Sequence, residues 1–194
     1  SVRALLNSDW DTSEDDGVIA YPLWQWMESS KAMGDSQGAA DAAAAADTKG
    51  RDHPELPTLA LYAALARAES AEGRGDVDGA RAEFERALAQ AEAMRVPFDV
   101  VRAVASYTEF LLRHGKEAEA GVVAERIAGW ADQDYAASLV RLSVYHAIGN
   151  EAWTSALART QALAGERKVP PDLTSAPSPA TKGDQRVLLA GRLL

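Results

Sequence analysis

The side chains in this chain that could act on a substrate or a metal are three histidines, a few carboxylate pairs and one run of alternating acids. His53, His114 and His146 are scattered, and none has a second histidine or a carboxylate at ligand spacing on the same helical face. His53 stands before Pro54 and His114 before Gly115, where an imidazole can cap the last carbonyls of a helix. Acid–base chemistry needs two carboxyl groups facing one substrate, whereas Glu83 and Glu85 point to different sides of a helix. The run from Asp9 to Asp16 begins to alternate as a calcium loop does. Counting from Asp9, however, the sixth position is Glu14 where the turn needs glycine, and the twelfth is Ala20 where a bidentate Glu must close the site. The run therefore reads as a solvated acidic loop. No strand is predicted, so there is no strand-borne phosphate loop, and no Gly-x-Ser-x-Gly elbow occurs. These patterns predict no enzyme, no metal and no cofactor.

Recognition is the remaining task, and it depends on the elements that carry the large side chains. The clearest element is Gly75 to Leu88, where a Gly-Asp turn is followed by Ala80, Phe84 and Ala87 on one face of a helix. Upstream, Leu59, Leu65 and Ala66 mark a helix ending near Gly73, so the turn joins two helices. The phrase recurs. Gly34-Asp35 is followed by Ala39, Ala43 and Ala46, Gly115-Lys116 by Ala120, Ala124 and Ile127, and Gly149-Asn150 by Trp153, Ala156 and Leu157. These glycines lie 41, 40 and 34 residues apart, intervals that fit stacked helix pairs. The fourth copy departs from the others, with Thr154 at the small position. Phe84 and Phe110 fall in core register, while Trp24 and Trp26 stand roughly 200° apart on one helix and cannot share a buried stripe.

The rest of the chain is predicted around these turns. Tyr21 to Met33 is expected to form a helix with Pro22 in its opening turn, Ser36 to Ala46 an alanine-rich partner, and Asp47 to Thr58 a linker. Asp99 is placed to cap one later helix and Asp134 another. A helix is expected from Gly115 to Trp130, with Gly165 closing the last one. Lys168 to Lys182, rich in Pro and Ser, should lack regular structure. Val187 to Leu194 should form a short helix against an apolar surface of this chain or of a second copy, as in a homodimer.

Composition narrows the partners. The net charge of −9, with 29 acids against 20 bases, argues against a nucleic-acid surface, because phosphate binding is driven by Lys and Arg. No apolar run is long enough to span a bilayer, and without cysteine there is neither a disulfide framework nor a thiolate metal site.

The Gly75, Ala80, Phe84 and Ala87-Leu88 series resembles the tetratricopeptide repeat, in which a loop glycine is followed by a small residue, an aromatic four later and then Ala-Leu. The resemblance covers about Tyr21 to Gly165. It implies an all-α fold, a right-handed solenoid of about four antiparallel helix hairpins over residues 21–165. An acidic leader (residues 1–20) would pack on the first repeat, and a Pro/Ser-rich strap and short helix (residues 166–194) would follow the last. In such arrays the first helix of each hairpin lines a concave groove at fixed distances before the turn glycine. Counting back thirteen, ten and six carries those positions onto Tyr21, Trp24 and Glu28, onto Tyr62, Leu65 and Glu69, onto Arg102, Ala105 and Glu109, and onto Ala136, Leu139 and Ser143. Members that grip a terminal carboxylate present Lys and Asn there, and here Trp24 and Glu28 stand instead. The resemblance thus implies a partly exposed surface of Tyr21, Trp24, Tyr62, Leu65 and Arg102. Beside it, Glu28, Glu69 and Glu109 would form an acidic ladder preferring a basic protein or peptide segment.

The stretch from Val96-Pro-Phe-Asp-Val-Val to Tyr107-Thr-Glu-Phe-Leu-Leu and the phrase Ala164-Gly-Glu-Arg-Lys-Val-Pro-Pro are similar to the C-terminal helical-repeat regions of bacterial multidomain signalling proteins such as membrane-anchored winged-helix regulators and receptor kinases. That similarity implies a docking or sensory module, periplasmic in such a protein and cytoplasmic otherwise, with an effector domain and a membrane helix before Ser1. Two functions are expected: a non-enzymatic protein–protein interaction module in bacterial signalling, or a small-molecule sensor serving a fused effector. A closed apolar pocket at Trp24 or Tyr62 would mark the sensor, and an open groove the interaction module.

Overall fold

Gly34, Gly75, Gly115 and Gly149 all adopt positive φ, between 64 and 80°, and each stands between two helices. A Cβ is strained in that region, which is why the turn repeats its glycine. The computed structural model describes residues 16–177, with side chains from Pro22 onward. All regular structure among the described residues is helical, with no strand. The chain divides between Val96 and Pro97 into two compact units.

The first unit contains α1 (Asp16–Met33), α2 (Ser36–Asp52), α3 (Pro57–Gly73) and α4 (Val77–Met94). α3 packs against the other three, so Leu59, Leu61, Tyr62 and Leu65 are buried although they do not share one helical stripe. Asp35 and Asp76, directly after the turn glycines, accept hydrogen bonds from the backbone N–H groups of Gly38 and Gly79 at 2.9 Å. Each such cap contributes about 1 kcal/mol and fixes where the second helix starts. Ala39 and Ala80, five residues after their glycines, are buried, as is Phe84. Close approach also fixes Gly73: a Cβ built there would stand 2.6 Å from Ser36 Cβ, where the end of α3 meets the start of α2.

Two boundaries differ from expectation. α1 begins at Asp16, so Pro22 lies inside the helix and not in its opening turn, leaving the ladder one donor short. α2 continues to Asp52 through most of the expected linker, and only residues 53–56 separate it from α3. Gly50 costs a helix about 1 kcal/mol. Against it, Lys49 and Arg51 occupy the last turn, where cations complement the helix dipole.

The second unit contains α5 (Pro97–Arg113), α6 (Glu117–Ala124), a 3-10 turn (Glu125–Ile127), α7 (Ala128–Ala131), α8 (Tyr135–Ile148), α9 (Trp153–Ala164) and a second 3-10 turn (Pro171–Leu173). α5 is buried without interruption from Asp99 to Leu111, and α6 and α8 pack on it. Asp99 is not the cap: the helix starts two residues earlier at Pro97. Burial pushes the Asp99 carboxyl above its ordinary range, with the nearby Arg102 charge opposing. Asp134 does cap α8, accepting from the Ala137 N–H at 2.8 Å. The helix expected from Gly115 to Trp130 is broken at Glu125–Ile127. Lys116 supplies no side-chain cap, and Gly121 and Gly129 lower helix propensity on both sides of the break.

The tail also differs, since Pro171–Leu173 forms a turn and Leu173 is only 1% exposed. Fourth-copy Thr154 is exposed, unlike its three alanine counterparts. The remainder of the acidic leader and the expected helix at Val187–Leu194 lie outside the described residues.

Candidate functional site

The residues expected to line a partly exposed groove lie largely inside. Trp24, Tyr62, Leu65 and Arg102 are 2, 5, 1 and 4% exposed, which corrects the exposure expected of them. Glu28 is half-buried, and the Tyr21 side chain is outside the described residues. The physical reason in the first unit is the position of α3: three helices pack on it, and they cover Tyr62 and Leu65.

The glutamate ladder is likewise engaged within the chain. Glu69 Oε1 lies 3.1 Å from Lys31 Nζ, an ion pair between α3 and α1 with both side chains under 10% exposed. Glu109 in the second unit is buried, with Arg113 Nη1 at 3.6 Å. Arg102 places its guanidinium 4.2 Å from the centre of the Phe98 ring. Buried charges that have found partners rigidify a fold more than they advertise a surface.

An open cleft that the sequence did not predict lies between α2, α3 and α4, with a volume of about 390 Å³. Ala40, Ala43 and Ala44 line it from α2, Arg67, Ser70 and Ala71 from α3, and Gly79 and Glu83 from α4. Arg67 Nη1 donates to both Asp47 oxygens at 2.8 Å, and its Nε donates to Glu83 Oε2 at 3.0 Å. Glu83 also accepts from Arg86 at 2.6 Å. Burial opposes the charge on Arg67, but the bonds and attraction from Asp47 and Glu83 outweigh it and hold the guanidinium pKa above its ordinary value. Arg74 donates to the Ser70 hydroxyl at the cleft's edge. The arrangement holds these long side chains in place through their mutual bonds.

A second polar network joins α8 to the helix break. Glu125 accepts from the Tyr145 hydroxyl at 2.6 Å and from Arg141 at 3.1 Å, and Arg141 also bonds Tyr145. The Tyr145 bond and the Arg141 charge lower the Glu125 pKa against some burial. Burial and the bond to Glu125 raise that of Tyr145.

The end of the second unit carries an apolar cluster of Tyr135, Leu139, Leu142, Ala164 and Leu173, flanked by Trp153, Leu157 and Val169. Three side chains there donate to the backbone of the tail. Tyr135 Oη reaches the Lys168 carbonyl at 3.3 Å, Trp153 Nε1 the Leu173 carbonyl at 3.2 Å, and His146 Nε2 the Ser175 carbonyl at 3.1 Å. The Arg167 guanidinium lies 4.1 Å from the centre of the Tyr135 ring.

Among the described residues no group of three or more His, Asp or Glu is placed to hold a metal ion, and no helix is long and apolar enough to cross a membrane. No family model, curated protein or solved structure matches the chain.

Proposed function

We propose that the chain is a tetratricopeptide-like module, a right-handed stack of antiparallel helix pairs that binds a protein segment without catalysis as the docking part of a larger bacterial signalling protein. The observation that carries this reading is the open cleft over α2, α3 and α4. Small side chains in its lining let a partner's backbone come close, and the lining also holds a guanidinium already fixed by two carboxylates. Small-molecule sites are usually enclosed and mostly apolar. An open, mixed cleft suits a segment that continues beyond it, with hydrogen bonds and shape supplying specificity. The repeated glycine turn and its buried alanine support the repeat architecture.

A displayed library of random peptides tests the proposal. Sequences enriched on the 194-residue chain should bind Ala44→Arg at least about tenfold more weakly, the equivalent of about 1.4 kcal/mol. Ala44 is exposed, so arginine there fills the cleft without disturbing the core, and it is a good helix former. Absence of enrichment, or equal binding to both proteins, contradicts the proposal.

A further inference from the structure

The tail segment at the end of the second unit is held in the manner of a ligand. From this we infer that the face formed by Tyr135, Leu139, Leu142 and Trp153 is a docking groove for a proline-containing protein segment that closes in a 3-10 turn and carries two apolar side chains four residues apart. The chain's own Val169–Leu173 is its occupant here. The inference rests on the reading of the chain as an interaction module and names one class of partner for it.

The geometry of the occupant comes first. Pro170 has φ −51° and ψ 132°, close to the polyproline conformation, and Pro171 directly after it opens the 3-10 turn that ends at Leu173. Val169 and Leu173 both pack on the apolar cluster, while Pro171 and Thr174 are exposed. Two side chains therefore anchor the segment.

Polar recognition is directed at the main chain. Trp153 Nε1 and the Tyr135 hydroxyl donate to the carbonyls of Leu173 and Lys168, at the two ends of the anchored stretch. Carbonyls are present in any sequence, so these bonds set register and direction while Val169 and Leu173 set identity. Buried tyrosine and tryptophan side chains commonly direct their O–H and N–H groups to such acceptors while their rings pack on apolar neighbours. Proline lowers the ordering cost because its φ is already fixed.

The occupant is also displaceable on its contacts. A segment held by two apolar anchors and three long-range bonds belongs to the part of a structure that opens locally. It leaves α9 through Gly165, which has φ 60° and is exposed. A partner segment with the same pattern competes with it, and its apparent affinity is reduced by the fraction of time the groove is open.

The test uses the 194-residue chain and a fluorescent peptide with the sequence of residues 167–177, read by polarisation. Leu173→Asp removes one anchor of the resident segment, and Pro170→Gly loosens it without adding charge. Both variants should bind the peptide roughly tenfold or more tightly than the unaltered chain. A peptide carrying Leu173→Asp should not bind. Trp153→Phe in the Pro170→Gly background keeps the aromatic body and should weaken binding about fivefold, the loss expected for one hydrogen bond. The groove is overturned if neither opened variant binds while Pro170→Gly keeps its helical circular dichroism, and competition is overturned if all three proteins bind equally. Either failure leaves the α2–α4 cleft untouched, because Ala44→Arg tests that reading separately.

Discussion

Two phenylalanines fourteen residues apart provide the sharpest check on the packing. Phe84 is 0% exposed in the repeat register of α4, whereas Phe98 is 57% exposed at the start of α5. Replacing Phe84 by alanine forfeits about 1.5–3 kcal/mol of transfer energy. A cavity term of about 24 cal/mol per Å³ of unfilled space raises the total to about 3–5 kcal/mol. Phe98→Ala loses little burial and the contact with Arg102, which together come to about 0.5–1 kcal/mol. Urea unfolding followed by circular dichroism reads both. With a slope near 2 kcal/mol/M, the midpoint should fall by about 1.5–2.5 M for Phe84→Ala and by no more than about 0.5 M for Phe98→Ala. Equal losses, or a Phe84→Ala loss under about 1.5 kcal/mol, would refute the placement of these rings.

Gly73→Ala should destabilise by about 1–3 kcal/mol through overpacking. Because the obstacle is Ser36 Cβ at 2.6 Å, Ser36→Gly should recover part of that loss in a double-mutant cycle. Arg95 ends α4 with φ 58°, the one non-glycine residue with positive φ among the described residues. Arg95→Gly should therefore raise stability by about 0.5–1 kcal/mol in thermal or urea unfolding. The Glu125 pKa is lowered on folding, so the stability it contributes is present above its ordinary pKa of 4.5 and lost as pH falls through the folded value below it. Tyr145→Phe should flatten that acid limb, by less than about 1 kcal/mol because the Glu125 side chain is half exposed. A limb that steepens in Tyr145→Phe would contradict the network.

The turn glycines, the Asp134 cap and the buried positions Ala80, Phe84 and Ala120 were legible because each is a local signal, a dihedral requirement or a 3.6-residue period. What failed depended on the rest of the fold. Gly50 looks like a breaker in sequence, yet the helix continues through it with Lys49 and Arg51 in its last turn. Trp24, Tyr62 and Leu65 occupy lining positions by register, but only packing decides whether a lining is open, and here it is covered. The cleft was missed because Arg67 meets Asp47 and Glu83 at separations of 20 and 16 residues, which follow no helical period. Tyr135 and Trp153 gave no hint of their bonds since the acceptors are backbone carbonyls, which carry no sequence signature.

Amide chemical shifts of the labelled chain, recorded while a library-selected peptide is added, test the central claim most directly. The account predicts shifts concentrated at Ala40, Ala44, Arg67, Ser70 and Arg74, and their disappearance in Ala44→Arg. Saturating binding that leaves these residues unmoved, or that survives Ala44→Arg unchanged, would contradict the claim that the cleft between α2, α3 and α4 is where this module takes its partner.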